Sequence, residues 1–310
     1  MNAGIKVFAP ASVGNVAVGF DCLGFALDKP GDEIIARFSD KPGLRIVKIT
    51  GAKGKLPYEL EKNTAGFAAL KLLEYLGEEK RGIELEVHKK MPCGSGLGSS
   101  AASAVAGAMA INELLGRPLE KKDLLRFAMY GEELASGGNH TDNVAPCLLG
   151  GLVLVRDNES LEAHRLPIPR GMFATVIYPK VEILTKDARN LLSKTVSLKK
   201  MVQQNANLGG LVIGLYHSDI ALIGRALQDV VIEPQRAHLI PHFYEVKEAA
   251  LNAGALGCSI SGAGPSIFAL SANSLIAENV GERMKQIYSD AGIDNTLFLS
   301  AINQAGAIKL

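Results

Sequence analysis

The chain has 310 residues, more than one ordinary core holds, and at roughly 100–200 residues per domain it divides into about two. With 33 Lys and Arg against 32 Asp and Glu, its formal net charge is +1, which argues against a nucleic-acid-binding or strongly membrane-attracted protein. A hydrophobic fraction of 47% beside 21% charged residues excludes disorder, and 10 Phe, 7 Tyr and no Trp leave little for base-stacking platforms.

In chain order, alternation around Ile5 and Val7 predicts a first strand. Next comes Ala9-Pro10-Ala11-Ser12-Val13-Gly14-Asn15-Val16-Ala17-Val18-Gly19-Phe20-Asp21, broken by Pro and Gly. There Asn15 and Asp21 stand in apolar surroundings, and buried polar groups need partners, so the segment suggests a site. Ile34, Ala36 and Phe38, then Leu44, Ile46 and Ile49, read as strands. Phe67, Leu70, Leu73 and Leu76 share a helical face, with Thr64 as N-cap and Gly77 as C-terminal stop. Ile83, Leu85 and Val87 alternate as a strand. Helices are expected over Ala101–Leu115 and from about Glu120 to Ala135, then a buried strand over Leu152–Val155.

Pro167 and Pro169 mark the best boundary, dividing the chain into 1–168 and 169–310. Beyond it a strand over Ala174–Ile177 precedes helices around Ser197–Leu215, Ile220–Val230 and Phe243–Ala253. Strands over Ser259–Ser261 and Ser266–Leu270 flank a Gly-Ala-Gly-Pro turn, and a helix near Leu275–Ser289 and a strand near Thr296–Ser300 finish the chain. This order suggests an α+β second domain.

Cys22, Cys93, Cys147 and Cys258 lie tens of residues apart with no Cys-x-x-Cys pair, a pattern of reduced thiols in a cytoplasmic protein. Met1–Pro10 lacks the apolar region of a signal peptide, and no run approaches the roughly 18 apolar residues of a membrane span.

Glycine makes up 33 residues, and its clusters carry the chemistry. Pro92-Cys93-Gly94-Ser95-Gly96-Leu97-Gly98-Ser99-Ser100 leads directly into a helix. Glycines let several N–H groups converge without Cβ clash, and a helix start adds unpaired donors with positive partial charge. Such a concavity binds phosphate; the plain alternative is a flexible loop with a Ser cap. No Lys occupies the loop, so it is no P-loop, and glycines at 94, 96 and 98 do not spell a dinucleotide fingerprint.

Pro92-x-x-x-Gly96-Leu97-Gly98-Ser99-Ser100-Ala101-Ala102 resembles the ATP-binding motif of the GHMP small-molecule kinases. Pro10-Ala11-Ser12-x-Gly14-Asn15 and Ser261-Gly262-Ala263-Gly264-Pro265-Ser266 resemble that superfamily's other two signatures, in the same order. Within it, Val13–Gly24 and His140-Thr141-Asp142-Asn143-Val144-Ala145-Pro146 look like the homoserine kinases. The resemblance implies a two-domain α+β fold, ribosomal-S5-like then ferredoxin-like. It also implies ATP-dependent phosphorylation of the L-homoserine side-chain hydroxyl with Mg²⁺, and a homodimer.

By that resemblance the ATP site is Asn63, Pro92, Gly94, Ser95, Gly96, Leu97, Gly98, Ser99, Ser100, Ala101 and Ala102, with Ser100 and Glu132 on the metal. Asn63 could equally be an ordinary helix cap, and Glu132 a solvated helix charge. Asn15, Asp21, His140, Thr185, Arg189 and Arg236 match substrate positions. A zwitterionic amino acid suits them, because Asp21 can accept from an ammonium and a guanidinium can grip a carboxylate with two bonds. The reacting hydroxyl falls to Asn143 and Asp142: asparagine can orient it but is no useful base, so the expectation is that Asn143 orients, the proton leaves late, and Asp142 is structural. His238 and His242 have Pro241 between them and no H-E-x-x-H, so zinc is not expected. Two rivals stay open. Another GHMP kinase would have no ammonium for Asp21, and a ligand sensor would need neither metal ligands nor a hydroxyl-orienting group.

Overall fold

The computed structural model describes residues 4–138, 140–181, 183 and 185–310. The first sheet is built on β1 (Ile5–Gly14) and the long β2 (Leu23–Phe38), paired antiparallel along most of their length. β3 (Leu44–Thr50) and, after α1 (Thr64–Leu76), β4 (Ile83–His88) extend the sheet beyond one end of β2. α2 (Ser99–Leu114), α3 (Leu125–Ser136) and α4 (Thr141–Leu149) follow. β5 (Leu152–Asp157) then pairs with the other end of β2, and β6 (Glu162–Leu166) with β5. α2 is buried nearly all round, from Ala101 to Asn112, which its Ala and Gly composition permits.

The second half has β7 (Phe173–Pro179), α5 (Thr185–Asn190), α6 (Leu198–His217), α7 (Ile220–Ala226), α8 (Glu233–Arg236), α9 (Phe243–Asn252), β8 (Gly257–Ile260), β9 (Ile267–Ser271), α10 (Ser274–Asp290) and β10 (Asn295–Ala301). Its sheet runs β10-β7-β9-β8, every pair antiparallel, with α9 and α10 packed on it: the ferredoxin-like arrangement. The chain passes from the first sheet to the second between β6 and β7, where the prolines stand, and returns at its end, since β11 (Ile308–Lys309) pairs with β1.

The main core crosses from one half to the other, with Phe25 of β2 edge-on to Phe268 of β9 at 5.9 Å. A smaller core of Phe243, Val246, Met284 and Tyr288 lies under the second sheet's helices. The glycine loop and the two other glycine-rich signatures therefore meet at a packed junction.

Local departures from the sequence reading have simple causes. α1 is capped by Asn63, not Thr64, because Asn63 Oδ1 accepts from Ala65 and Gly66 N–H at 3.1 and 3.2 Å. Gly77 ends it at φ 69°, in the left-handed region a C-terminal stop requires. The helix expected to Val230 stops at Ala226. There Asp229 takes the N–H groups of Val231, Ile232 and Glu233 and starts α8 instead.

Candidate active site

Three strained or glycine-rich segments converge. The first runs from the end of β1 to β2, and Asn15, Val16, Ala17 and Asp21 all have positive φ (71°, 41°, 60° and 57°). A branched Val at positive φ is costly and persists where tertiary contacts over-determine it. Asn15 supplies those contacts: its N–H donates to Asp142 Oδ2 at 3.1 Å, its Nδ2 to Gly262 O at 2.8 Å, and its Oδ1 accepts from Asp21 N–H at 3.0 Å. One residue thus joins the first signature to α4 through its backbone N–H and to the third signature through its side chain.

The second segment is the glycine loop, with Gly94, Gly96 and Gly98 at φ 66°, 76° and 64°. A Cβ on Gly96 would stand 2.6 Å from Ser261 O, and one on Gly98 2.1 Å from Ser12 Oγ, so both glycines are demanded by conformation and by space. Ser99 starts α2, and its buried Oγ has no partner among the described residues. The third segment, α4, brings Asp142 and Asn143 against Gly14 and Gly24; a Cβ on Gly24 would lie 1.7 Å from Asp142 O.

Asn143 Oδ1 accepts from Ser12 Oγ at 3.1 Å, which turns its amide so that Nδ2 is the group on offer. Asp142 is 1% exposed and its Oδ1 has no partner among the described residues. Burial, then the nearby Asp21 carboxylate, push its pKa up to about 7.

A polar relay links the remaining residues. Glu132 Oε1 lies 3.3 Å from His140 Nδ1, His140 Nε2 lies 3.1 Å from Arg189 Nη2, and Arg189 Nη2 donates to Asp21 at 2.8 and 3.0 Å. Nε2 facing a guanidinium must accept, so Nδ1 carries the hydrogen and donates to Glu132. Glu132 is 4% exposed and so is no solvated helix charge. The Arg189 and Arg236 guanidiniums lie 5.5 and 5.2 Å from the Phe20 ring centroid.

Arg236 is the informative cation. It is 3% exposed, donates to Ala188 O at 3.0 Å and Gly262 O at 3.5 Å, and forms no ion pair among the described residues. A buried guanidinium met only by carbonyls favours an incoming anion.

The structure thus gathers Asn15, Asp21, Asp142, Asn143, His140, Arg189, Arg236 and Glu132 around the start of α2. Asn63 caps α1, its Nδ2 also donating to Pro57 O at 2.9 Å. Thr185 opens α5, but its side chain lies outside the described residues. The sequence reading missed Phe20, the anchoring hydroxyls of Ser12, Ser261 and Ser266, and the buried Lys89–Asp32 pair. The serines stood inside the quoted signatures, so only their roles were hidden; Lys89 gave no signal beyond a cation two residues from an apolar strand.

Family models for GHMP kinases match here, the N-terminal domain over residues 63–151 and the C-terminal over 211–290. A homoserine kinase of Chlorobium phaeovibrioides is 48% identical, with 98% of each chain covered. One from Chlorobium phaeobacteroides (strain BS1) is 46% identical over 97% of each. The chain belongs to the homoserine kinase family of GHMP kinases. The crystal structure of a homoserine kinase from Cytophaga hutchinsonii superimposes with a TM-score of 0.97 at 56% identity, covering 100% of this chain and 98% of that one. A mevalonate kinase of L. major, at 16% identity and a TM-score of 0.72, shares the fold. As a homoserine kinase family member, the chain is an ATP-dependent enzyme.

The buried Asp142 makes stability depend on pH. In the unfolded chain an aspartate gives up its proton near pH 3.8, whereas here it keeps it to about pH 7. The native state therefore binds the extra proton, and stability falls as pH rises between those values before levelling off. Asp142→Asn removes that loss. Its melting temperature should exceed the parent's at pH 8.5, and the gain should shrink toward pH 5; an equal effect at both values would mean that Asp142 titrates normally.

Proposed function

We propose that the chain transfers the γ-phosphate of ATP to the side-chain hydroxyl of L-homoserine, giving O-phospho-L-homoserine. The observation that carries the substrate assignment is a buried guanidinium, Arg236, with no ion pair among the described residues and within the electrostatic reach of a carboxylate, Asp21. A zwitterionic amino acid satisfies both, its carboxylate on Arg236 and its ammonium on Asp21. Arg189, already paired with Asp21, shares that carboxylate with the ammonium or gives way to it. His140 and Asn15 hold the two acidic and basic groups in register, and Thr185 completes the substrate set.

Phosphoryl transfer needs alignment and charge neutralisation more than covalent help. Residues 92–102 cradle the phosphates with amide donors at the start of α2. Asn63 fixes the wall beside the base through the cap it makes. Mg²⁺ fits the chemistry of the donor set, since Ser100 and Glu132 offer hard oxygens and the buried Ser99 Oγ has no partner among the described residues. These residues would hold it, and the ion would neutralise phosphate charge. Asn143 Nδ2, turned by Ser12, donates toward the acceptor oxygen and leaves a lone pair of that oxygen aimed at phosphorus. The hydroxyl proton leaves late, to a phosphate oxygen, while Asp142 holds Asn15.

We take 1–168 as the ATP-binding domain and 169–310 as the second, the chain as a cytoplasmic enzyme, and a homodimer as its assembly. No described helix is long and apolar enough to cross a membrane, and all four cysteines are free, in keeping with that compartment. The test is ADP release from Mg²⁺-ATP with L-homoserine, L-serine, L-threonine, mevalonate and galactose in parallel. Turnover confined to homoserine is the expected result. Equal or faster turnover with mevalonate or galactose would discard the zwitterion pocket, and tight ATP binding without turnover on any alcohol would favour a sensor.

A further inference from the structure

The glycine loop has the kind of backbone that loses most entropy on being ordered, so it keeps one shape only if groups outside it hold it. Four such groups each take a carbonyl. Ser266 Oγ donates to Ser95 O and Ser261 Oγ to Gly96 O, both at 2.6 Å. Ser12 N–H donates to Leu97 O at 3.1 Å, and Lys89 Nζ to Ser99 O at 2.7 Å. A peptide whose carbonyl is drawn to one side presents its N–H on the other. Drawing several carbonyls away in succession aims the amides at a common point, as an anion nest requires.

Lys89 differs from the other three anchors in being charged. Its side chain is 2% exposed and that of its partner Asp32 is 0% exposed. Besides Asp32 and Ser99 O, Nζ donates to Ser103 Oγ at 2.7 Å. Asp32 Oδ1 accepts from the N–H groups of Lys90 and Met91 at 2.9 and 3.3 Å, and Oδ2 from Ser103 Oγ at 3.2 Å. The pair therefore ties three things together: β2, the chain approaching the loop, and the first turn of α2. Burying two charges commonly gains little stability over apolar residues of the same size. Stability alone is then a poor reason for an ammonium in this position, whereas three donors fixed in direction are what holding a helix end needs.

We propose that Lys89, charge-balanced by Asp32, is a positioning residue for ATP: it holds the first turn of α2 so that the amides there converge on the phosphates. It does so from behind the loop, supplying the lysine that the loop itself lacks without touching the reacting atoms. The inference rests on the glycine loop being the phosphate site.

The experiment is the double variant Lys89→Met with Asp32→Asn, measured in the full chain. Met fills the space of the lysine stem, and the Asn carbonyl keeps an acceptor for Lys90 and Met91, so the fold loses the charges but not their volume. The expected result is a melting temperature within a few degrees of the parent, a KM for Mg²⁺-ATP raised about tenfold or more, and a KM for homoserine within about twofold. A folded double variant whose KM for ATP stays within about twofold overturns the proposal. Should that variant not fold, Ser103→Ala decides, because it keeps the pair and removes its second tie to α2. A KM for ATP raised about threefold at unchanged melting temperature supports the role, and an unmoved KM overturns it. A parent enzyme that fails to bind Mg²⁺-ATP would instead sink the reading of the loop itself.

Discussion

Arg236→Met should lower kcat/KM for L-homoserine by about 10²–10³-fold, with the loss concentrated in KM for homoserine. Arg236 is 3% exposed, and among the described residues its guanidinium hydrogen-bonds only the carbonyls of Ala188 and Gly262. Losing it leaves a substrate carboxylate to be desolvated without a counter-charge. Met keeps most of the stem's volume and gives up only the guanidinium, whose carbon lies 5.2 Å from the Phe20 ring centroid, so the melting temperature should fall by only a few degrees and the KM for Mg²⁺-ATP should change little. A substrate analogue with the carboxylate reduced to an alcohol should be a poor substrate for the parent and should lose little further in the variant. Equal losses for homoserine and for this analogue would show that Arg236 shapes the pocket without binding the carboxylate.

Asn143→Ala should act on the other kinetic constant, lowering kcat by about 10²–10³-fold while KM for homoserine moves less than about threefold. Ser12 fixes the amide by donating to Oδ1 at 3.1 Å, so removing the side chain removes a directed donor and not a bulk contact. Ser12→Ala should reproduce a smaller share of the same loss, because the amide is then free to turn. Asp142→Asn is the comparison that decides the proton's route. Asp142 gives Oδ2 to the Asn15 N–H, a bond that an Asn carbonyl can also accept, so kcat should survive within about tenfold. Near-normal turnover in Asn143→Ala together with collapse in Asp142→Asn would make Asp142 the base.

Much of this site could be read from the chain because its chemistry is local. A loop of alternating glycines ahead of a helix start is set by the geometry of three or four successive peptides, and such a loop, with Gly94, Gly96 and Gly98 at positive φ, opens onto α2 as spelled. The α1 stop at Gly77 is legible for the same reason, since a left-handed residue is needed there. Where the reading slipped, neighbouring residues could share a local role, or a distant contact outweighed local preference. Asn63 and Thr64 could each cap α1, and Asn63 does, its Oδ1 reaching the Ala65 and Gly66 N–H groups. His140–Pro146 was legible as a motif but not as the start of a helix. Pro146 argues against one locally, while packing of α4 on β1 and β2 outweighs it. The two-residue strand β11 has no period to detect and exists because β1 offers it an edge.

By itself the sequence determined the α+β class, the order of the three glycine-rich signatures and the kinase family. Each of these is written in residues within a few positions of one another. Only the tertiary structure decided which charges are paired. Asp21 meets Arg189 across 168 residues of chain, Lys89 meets Asp32 across 57, and Arg236 meets no carboxylate at all among the described residues. An ion pair depends on distance and burial, and both are properties of the packed interior. The vacant charge of Arg236, which points to the substrate, becomes visible only when the two halves of the chain close around it.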